Sequence, residues 1–343
     1  MPNDSPQFTM EHTLIGEDEA RAMIGNNKTR LGGRVMDPKA QVIAEFIKTI
    51  RVPGYFPPLP ELRQQLVTMT QLLDEPAPAL SRKEDIKIPG PAGDIPARLY
   101  SDAGDGAAPP ILAYFHGGGW VQGDLETHDG LCARLAQWSG AMVVAFDYRL
   151  APEHPYPAAV EDCLAGYIWL RQHGAELGGD PSRVAVAGDS AGGNLSAVVC
   201  QQAPRAEAEL PSFQVLIYPG TDFTMGTASH SELEDAPVIP RDRIEWYMQQ
   251  YVPRDSDLKD PRLSPYFAAD LEGQPPALII SGGFDPLRDE ARAYADKLTA
   301  FGCDVVYHEY PGQIHAFVSL TKAIPQGRAA TREIADYMRR QFG

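Results

Sequence analysis

The sequence predicts an α/β fold, a mostly parallel central sheet with helices on both faces. Two observations carry this. Short apolar runs of the kind that strands buried on both faces require recur at 111–115, 142–146, 184–187, 213–218 and 277–280. Segments of helical composition, 127–139, 158–173, 191–202 and 287–301, separate most of them, and strands that alternate with helices pair in parallel across one sheet. At 343 residues the chain is long for one ordinary domain, so two domains or one large domain with additions is expected.

Residues 1–35 carry no sustained periodicity and contain the turn-prone strings G-N-N-K and L-G-G-R, so they are expected to form an irregular arm. Val42, Ile43, Phe46, Ile47 and Ile50 then repeat at helical spacing. After a break at Pro53, Pro57, Pro58 and Pro60, so do Leu62, Leu66, Met69 and Leu73. From about residue 84 the pattern becomes a hairpin, K-E-D-I-K-I-P and I-P-A-R-L-Y around a G-P-A-G turn. The buried strands follow, and a mixed strand over 304–310 comes last. About sixty residues, 219–276, separate two of the strands, more than a crossover needs. An inserted element is therefore placed at 221–262, with Ile244, Tyr247, Met248 and Tyr251 on one helical face. The domain reading is a helical cap from 1–83 and 221–262, its first 35 residues the irregular arm, over a main α/β domain of 84–220 and 263–343.

Composition narrows the function classes. With 30 basic against 46 acidic side chains the net charge is −16, which disfavours nucleic acid and anionic membrane surfaces as partners. A hydrophobic fraction of 43% with 22% charged residues is globular composition. The first ten residues lack the pattern of a signal peptide, and no apolar run approaches the ~18 residues needed for membrane insertion, so a cytoplasmic protein is expected. Cys132, Cys163, Cys200 and Cys303 are widely spaced and read as buried thiols. No H-E-x-x-H, P-loop or EF-hand string occurs, and His116, His128 and His154 lack the compact spacing of metal ligands. Neither a metal nor a cofactor is expected.

The central motif is V-A-V-A-G-D-S-A-G-G-N-L-S, where Gly188, Ser190 and Gly192 form G-x-S-x-G between a strand and a helix. A sharp strand-to-helix turn needs small neighbours so that the serine hydroxyl stands exposed above the sheet. Ser190 is the candidate nucleophile. A second motif, H-G-G-G-W at 116–120, closes an earlier strand. Successive glycines let backbone N–H groups point into a cavity where negative charge develops on a tetrahedral intermediate, so the oxyanion hole is assigned to Gly117, Gly118 and Ala191.

A serine nucleophile needs a base and an acid, which in such sheets follow in the order acid, then histidine. Three histidines lie beyond Ser190. His230 falls inside the insertion, and His308 within an alternating strand, as a structural or exposed residue. His315, in the loop after that strand, is the candidate base. Asp285 stands immediately beyond a buried strand and is the candidate acid. Asp289 falls a turn into the next helix, where it suits the helix N-terminus or a group supporting the acid.

Together, H-G-G-G-W at 116–120, D-Y-R-L-A-P-E-H-P-Y-P-A-A at 147–159, G-D-S-A-G-G at 188–193, D-P-L-R-D-E at 285–290 and H-A-F at 315–317 closely resemble the hormone-sensitive-lipase-like family of α/β-hydrolase esterases, of the bacterial family IV type. The resemblance covers roughly residues 84–341, and the two preceding helices look like that family's N-terminal cap. It implies an α/β-hydrolase fold with a helical cap, and a serine carboxylic ester hydrolase with Ser190, Asp285 and His315 as triad. Its substrate would be a small-molecule ester with a short- to medium-chain acyl group, cleaved through an acyl-enzyme. Phe46, Leu66, Trp246 and Tyr247 are expected to close a limited apolar pocket. Asp147, Arg149 and Glu153 read either as a hydrogen-bonded scaffold under the site or as ordinary loop charge pairs. The alternative is hydrolysis of amides, carbamates or lactones at the same site, since a triad does not encode the leaving group. The family also resembles plant gibberellin receptors, which bind small molecules without a functional base; His315 argues against that here. The strand edge at 305–310 offers a route to a homodimer.

Overall fold

The computed structural model describes residues 8–104, 106 and 108–343, so residues 1–7 of the expected arm lie outside the described residues. The rest of that arm is not irregular. It forms a helix, α1 (Glu17–Ile24), and two short antiparallel strands, β1 (Arg30–Leu31) and β2 (Arg34–Val35). The helix has only Ala20 and Ile24 as buried positions, both packed against Val42, and so short a pattern leaves no readable periodicity. The segment is tied to the body by Arg34, which donates to Glu309 at 2.9 Å, and by Asp37 N–H, which donates to the Gly312 carbonyl.

Helix α2 (Pro38–Ile50) begins where Asp37 accepts the Lys39 N–H at 2.9 Å, with proline preset for the first turn. Helix α3 (Leu59–Leu73) follows the proline break. The chain continues through β3 (Arg82–Gly90), β4 (Gly93–Ser101), β5 (Pro110–Phe115), α4 (Asp129–Ser139), β6 (Met142–Phe146), α5 (Ala158–His173), β7 (Asp180–Asp189), α6 (Ala191–Gln202) and β8 (Gln214–Ile217). Then come α7 (Ala228–Glu232), α8 (Arg241–Tyr251), β9 (Ala277–Phe284), α9 (Arg288–Ala300), β10 (Val305–Ile314) and α10 (Pro325–Phe342).

The main sheet has the order β10-β9-β8-β7-β5-β6-β4-β3. The hairpin β3–β4 pairs antiparallel, as do β4 and β6, and every other neighbouring pair is parallel. This is the α/β-hydrolase fold. Strand β5 lies between β6 and β7, so the loops leaving β5 and β7 diverge at a switch point, the place where such sheets bind ligands.

Period-two alternation divides the core into two layers. Leu112 and Tyr114 of β5, with Val143 and Ala145 of β6, face Leu131 and Leu135 of α4 and Ile334 and Met338 of α10. Ile111, Ala113 and Phe115, with Met142, Val144 and Phe146, face Tyr167 and Leu170 of α5 and Leu195 and Val199 of α6. Helix α2 joins the first layer through Ala40, Ile43 and Ala44, so its apolar face packs on the body of the fold. Helices α3 and α8 lie over the carboxyl ends of the strands, and Arg51 at the end of α2 pairs with Asp242 of α8 at 3.2 Å. Among the described residues no helix is long and apolar enough to cross a membrane.

Candidate active site

Ser190 sits between the last residue of β7 and the first of α6, with φ 54° and ψ −115°. This left-handed backbone is costly for a residue with a side chain and persists where the surroundings enforce it. Here they do. A Cβ on Gly188 would lie 2.3 Å from the Gly192 carbonyl oxygen, and one on Gly192 would lie 1.8 Å from that of Phe115. Both positions are closed to any larger residue, which is the physical content of the G-x-S-x-G spacing.

Strand β9 ends one residue before Asp285 and β10 one residue before His315, so parallel neighbours deliver both side chains to the rim that carries Ser190. The Ser190 hydroxyl donates to His315 Nε2 at 3.0 Å, and His315 Nδ1–H donates to Asp285 Oδ2 at 2.6 Å. The second Asp285 oxygen accepts the Leu287 N–H at 2.9 Å. Asp285 is fully buried, and His315 packs against the Tyr218 ring at 4.7 Å. The imidazole is thus held with its acceptor nitrogen toward the hydroxyl, the tautomer needed to take a proton.

The glycine loop departs from expectation at one position. The Gly117 N–H is not free: it donates to Asp189 Oδ1 at 2.9 Å. Among the described residues, the N–H groups of Gly118, Gly119 and Ala191 have no hydrogen-bond acceptor, and all three residues line the cavity above Ser190. The Gly117 N–H is thus taken up by Asp189 rather than turned to the cavity as expected, whereas Gly118 and Ala191, and Gly119 beside them, keep theirs without an acceptor.

The sequence reading also missed the anchor itself. Asp189 Oδ1 accepts from Tyr114 Oη at 2.7 Å and from His128 Nε2 at 3.0 Å as well. Burial by itself would push this carboxyl up, but the His128 charge and these hydrogen bonds outweigh it and hold it below the usual range. Burial opposes the charge on His128 too, and the Asp189 carboxylate overcomes it and raises the imidazole. His116 goes the other way, down to about 4, first because it is buried and then because His128 is charged beside it. Asp147 stands 4.0 Å from His116 and is pushed up to about 6 by burial. The signal for Asp189 was an acidic residue just beyond the apolar run 184–187.

Other candidates fall elsewhere. His308 is exposed and bonds Glu333 at 2.8 Å. Asp289 accepts the Ser229 N–H at 2.9 Å and pairs with Arg288, with no contact to His315 among the described residues. Arg149 pairs with Asp162 at 2.8 Å, and Glu153 with Arg63 of α3 at 2.7 Å, so these charges brace the loop and the helix above it. Cys132, Cys163 and Cys200 are buried thiols, and Cys303 is half-buried.

The cavity has a volume of about 230 Å³. Leu66 of α3 and Ile244, Tyr247 and Met248 of α8 supply its apolar walls. Phe46 and Trp246, expected here, do not line it: Phe46 is buried within α2, and Trp246 stacks on Phe56 at 4.6 Å.

Residues 112–319 match the family model described as alpha/beta hydrolase fold. The chain is 48% identical over 262 residues to the carboxylic ester hydrolase LipN of Mycobacterium tuberculosis, covering 74% of this chain and 69% of that protein. It is 38% identical over 235 residues to the ethyl acetate hydrolase of Pseudomonas putida, covering 68% of this chain and 74% of that protein. Among solved structures, an ester hydrolase from the metagenome of Lake Arreo, complexed with a bipyridine phosphonate derivative, superposes with a TM-score of 0.86 at 40% identity, covering 90% of this chain and 99% of that one. The hyperthermophilic esterase of Pyrobaculum calidifontis superposes with a TM-score of 0.81 at 40% identity, covering 88% and 96%.

Proposed function

The chain belongs to the hormone-sensitive-lipase-like esterases of the α/β-hydrolase fold and is a serine carboxylesterase, and from that premise we propose that Ser190, His315 and Asp285 carry out its two-step acyl transfer. The observation that supports this assignment is the continuous relay from the Ser190 hydroxyl through the His315 ring to Asp285. His315 accepts the Ser190 proton as the oxygen attacks the ester carbonyl, and Asp285 stabilises the imidazolium that forms. The carbonyl oxygen becomes an oxyanion, received by the N–H groups of Gly118, Gly119 and Ala191. Those donors are already oriented, so little reorganisation is needed as the charge develops. Protonated His315 then gives its proton to the departing alcohol. Water repeats the sequence on the acyl-enzyme and releases the acid.

Short- to medium-chain acyl esters suit this cavity best. It lies at the small end of ligand pockets, its walls are mostly apolar, and α3 and α8 cover it as a cap. A p-nitrophenyl ester series should peak between about two and eight carbons, and a rate still rising at sixteen would refute the size argument. A fluorophosphonate probe should label Ser190, located by peptide mass. Labelling elsewhere, or none, would overturn the triad assignment. The β10 edge, where Val306 is exposed, supports pairing of two copies. Sedimentation at several concentrations tests it.

A further inference from the structure

We propose that Arg63 of α3 is a positioning residue, which fixes the direction of the proposed oxyanion donors by holding the main chain just beyond the glycine loop. The inference rests on the esterase reading above and names the side chain through which the cap acts on that site.

Arg63 sits on the helix that supplies Leu66 to the cavity wall. Its Nε–H donates to the Val121 carbonyl at 2.9 Å, and its Nη2 donates to the Ala151 carbonyl at 3.2 Å. Nη1 and Nη2 also reach the two Glu153 oxygens, at 2.8 and 2.7 Å. The Ala151 N–H in turn donates to the Trp120 carbonyl at 2.8 Å, so the guanidinium closes a ring of bonds around residues 120, 121 and 151. Only a planar fork with several donors can meet two carbonyls and a carboxylate together. The Glu153 side chain is 49% exposed, and an ion pair so open to water contributes little to stability. What Arg63 does that an ordinary surface pair does not is grip the two carbonyls.

That grip reaches the donors through one turn. The Val121 and Gln122 N–H groups both donate to the Gly118 carbonyl, at 3.2 and 3.0 Å. This carbonyl shares its trans peptide with the Gly119 N–H, and in a trans peptide the two point in opposite directions. Holding Val121 therefore holds the Gly118 carbonyl toward the turn and the Gly119 N–H away from it. The loop needs such holding: φ is 126° at Gly118, 63° at Gly119 and 60° at Trp120, and a run of positive φ persists only where its surroundings impose it. Asp189 fastens the near end at Gly117. The far end is fastened by the cap, with Arg63 of α3 on Val121 and Tyr247 of α8 accepting from Gln122 Nε2 at 2.9 Å. Cap and donors are thus set as one unit.

The test compares the full-length enzyme with its Arg63→Met and Glu153→Gln variants on p-nitrophenyl butanoate, together with inhibition by methyl pentyl ketone and by trifluoromethyl pentyl ketone. The plain ketone binds without reacting. With the fluorinated one, the Ser190 oxygen adds to the carbonyl carbon, the hydroxyl proton passes to His315, and the ketone oxygen becomes an anion facing the donors. Arg63→Met should lower kcat by about tenfold or more, short of the 10²–10³ for losing a donor outright, while KM and plain-ketone inhibition stay within about twofold. Inhibition by the fluorinated ketone should weaken by the same factor as kcat. Glu153→Gln, which spares both carbonyl bonds, should stay within about threefold of wild type throughout. A loss shared equally by both ketones, with KM rising in step, would mean only a loosened cap and would overturn the proposal. Wild-type kinetics in Arg63→Met, or a Glu153→Gln loss as large as that of Arg63→Met, would overturn it too. If Arg63→Met does not fold, Arg63→Gln, whose shorter side chain cannot span both carbonyls, is judged by the same outcomes. A preference for the fluorinated ketone that survives in the variant sinks only the Arg63 assignment, whereas a wild-type enzyme that turns over no ester sinks the reading beneath it.

Discussion

Asp189 holds Gly117 at 2.9 Å, so the residue before the proposed nucleophile anchors the first glycine of the oxyanion loop. The two motifs, more than seventy positions apart in sequence (189 − 117 = 72), are joined by one carboxylate oxygen. The same oxygen neutralises His128.

Asp189→Asn should therefore damage both stability and turnover. It leaves the His128 charge buried without a counterion, which costs roughly 3–5 kcal/mol when a buried pair is broken. It also loosens the Gly117 anchor, and kcat should fall by at least about tenfold. Thermal unfolding and steady-state kinetics measure the two effects. Wild-type values in both would show that the carboxylate does neither job.

Ser190→Ala should lower kcat by roughly 10⁴–10⁶ with the melting temperature little changed, and Asp285→Asn by about 10⁴ through the wrong imidazole tautomer. A loss below tenfold for Ser190→Ala would end the proposed mechanism.

The two glycines proposed as oxyanion donors should respond differently to alanine. At Gly118, φ is 126° and a Cβ would lie 2.0 Å from the Gln122 carbonyl oxygen, which is backbone and cannot yield. Gly118→Ala should cost about 10²–10³ in kcat, the scale of losing an oxyanion donor. At Gly119, φ is 63° and the obstacle is the Tyr247 ring at 2.5 Å, a cavity wall. Gly119→Ala should raise KM as well and shift chain-length preference. Gly140→Ala, at the open end of α4 with nothing within 4 Å, should cost about 1 kcal/mol of stability and leave turnover intact.

His116 and Asp147 should tilt acid stability in opposite senses. His116 titrates at about 4 in the folded chain against 6.5 unfolded. Between those values the unfolded state binds the extra proton, so stability is lost as pH falls from 6.5 toward 4. Asp147 titrates at about 6 against 3.8 unfolded. There the folded state holds the extra proton, so stability is lost as pH rises from 3.8 toward 6. His116→Asn, which keeps a donor near Nδ1, should flatten the acid decline in melting temperature. Asp147→Asn should steepen it. Variants whose profiles run parallel to wild type would refute both assignments.

Much of the site was legible because its determinants are local. The strand-to-helix turn at Ser190 needs glycine two residues to either side, and the sequence has it. One strand ending just before Asp285, and another just before His315, place those residues at the sheet rim through strand length alone. The 1–35 segment was not legible because two buried side chains in α1 make no period.

By itself, then, the sequence determined which strands are buried, where the sharp turn at Ser190 falls, and which strand ends carry Asp285 and His315, since each depends on spacing within a few residues. Only the tertiary structure decided that the Gly117 N–H is taken by Asp189 and that Phe46 and Trp246 stand outside the cavity. Those outcomes depend on which donors and acceptors meet across distant segments. A backbone N–H or a ring nitrogen carries no mark in the sequence of whether another chain segment will reach it first.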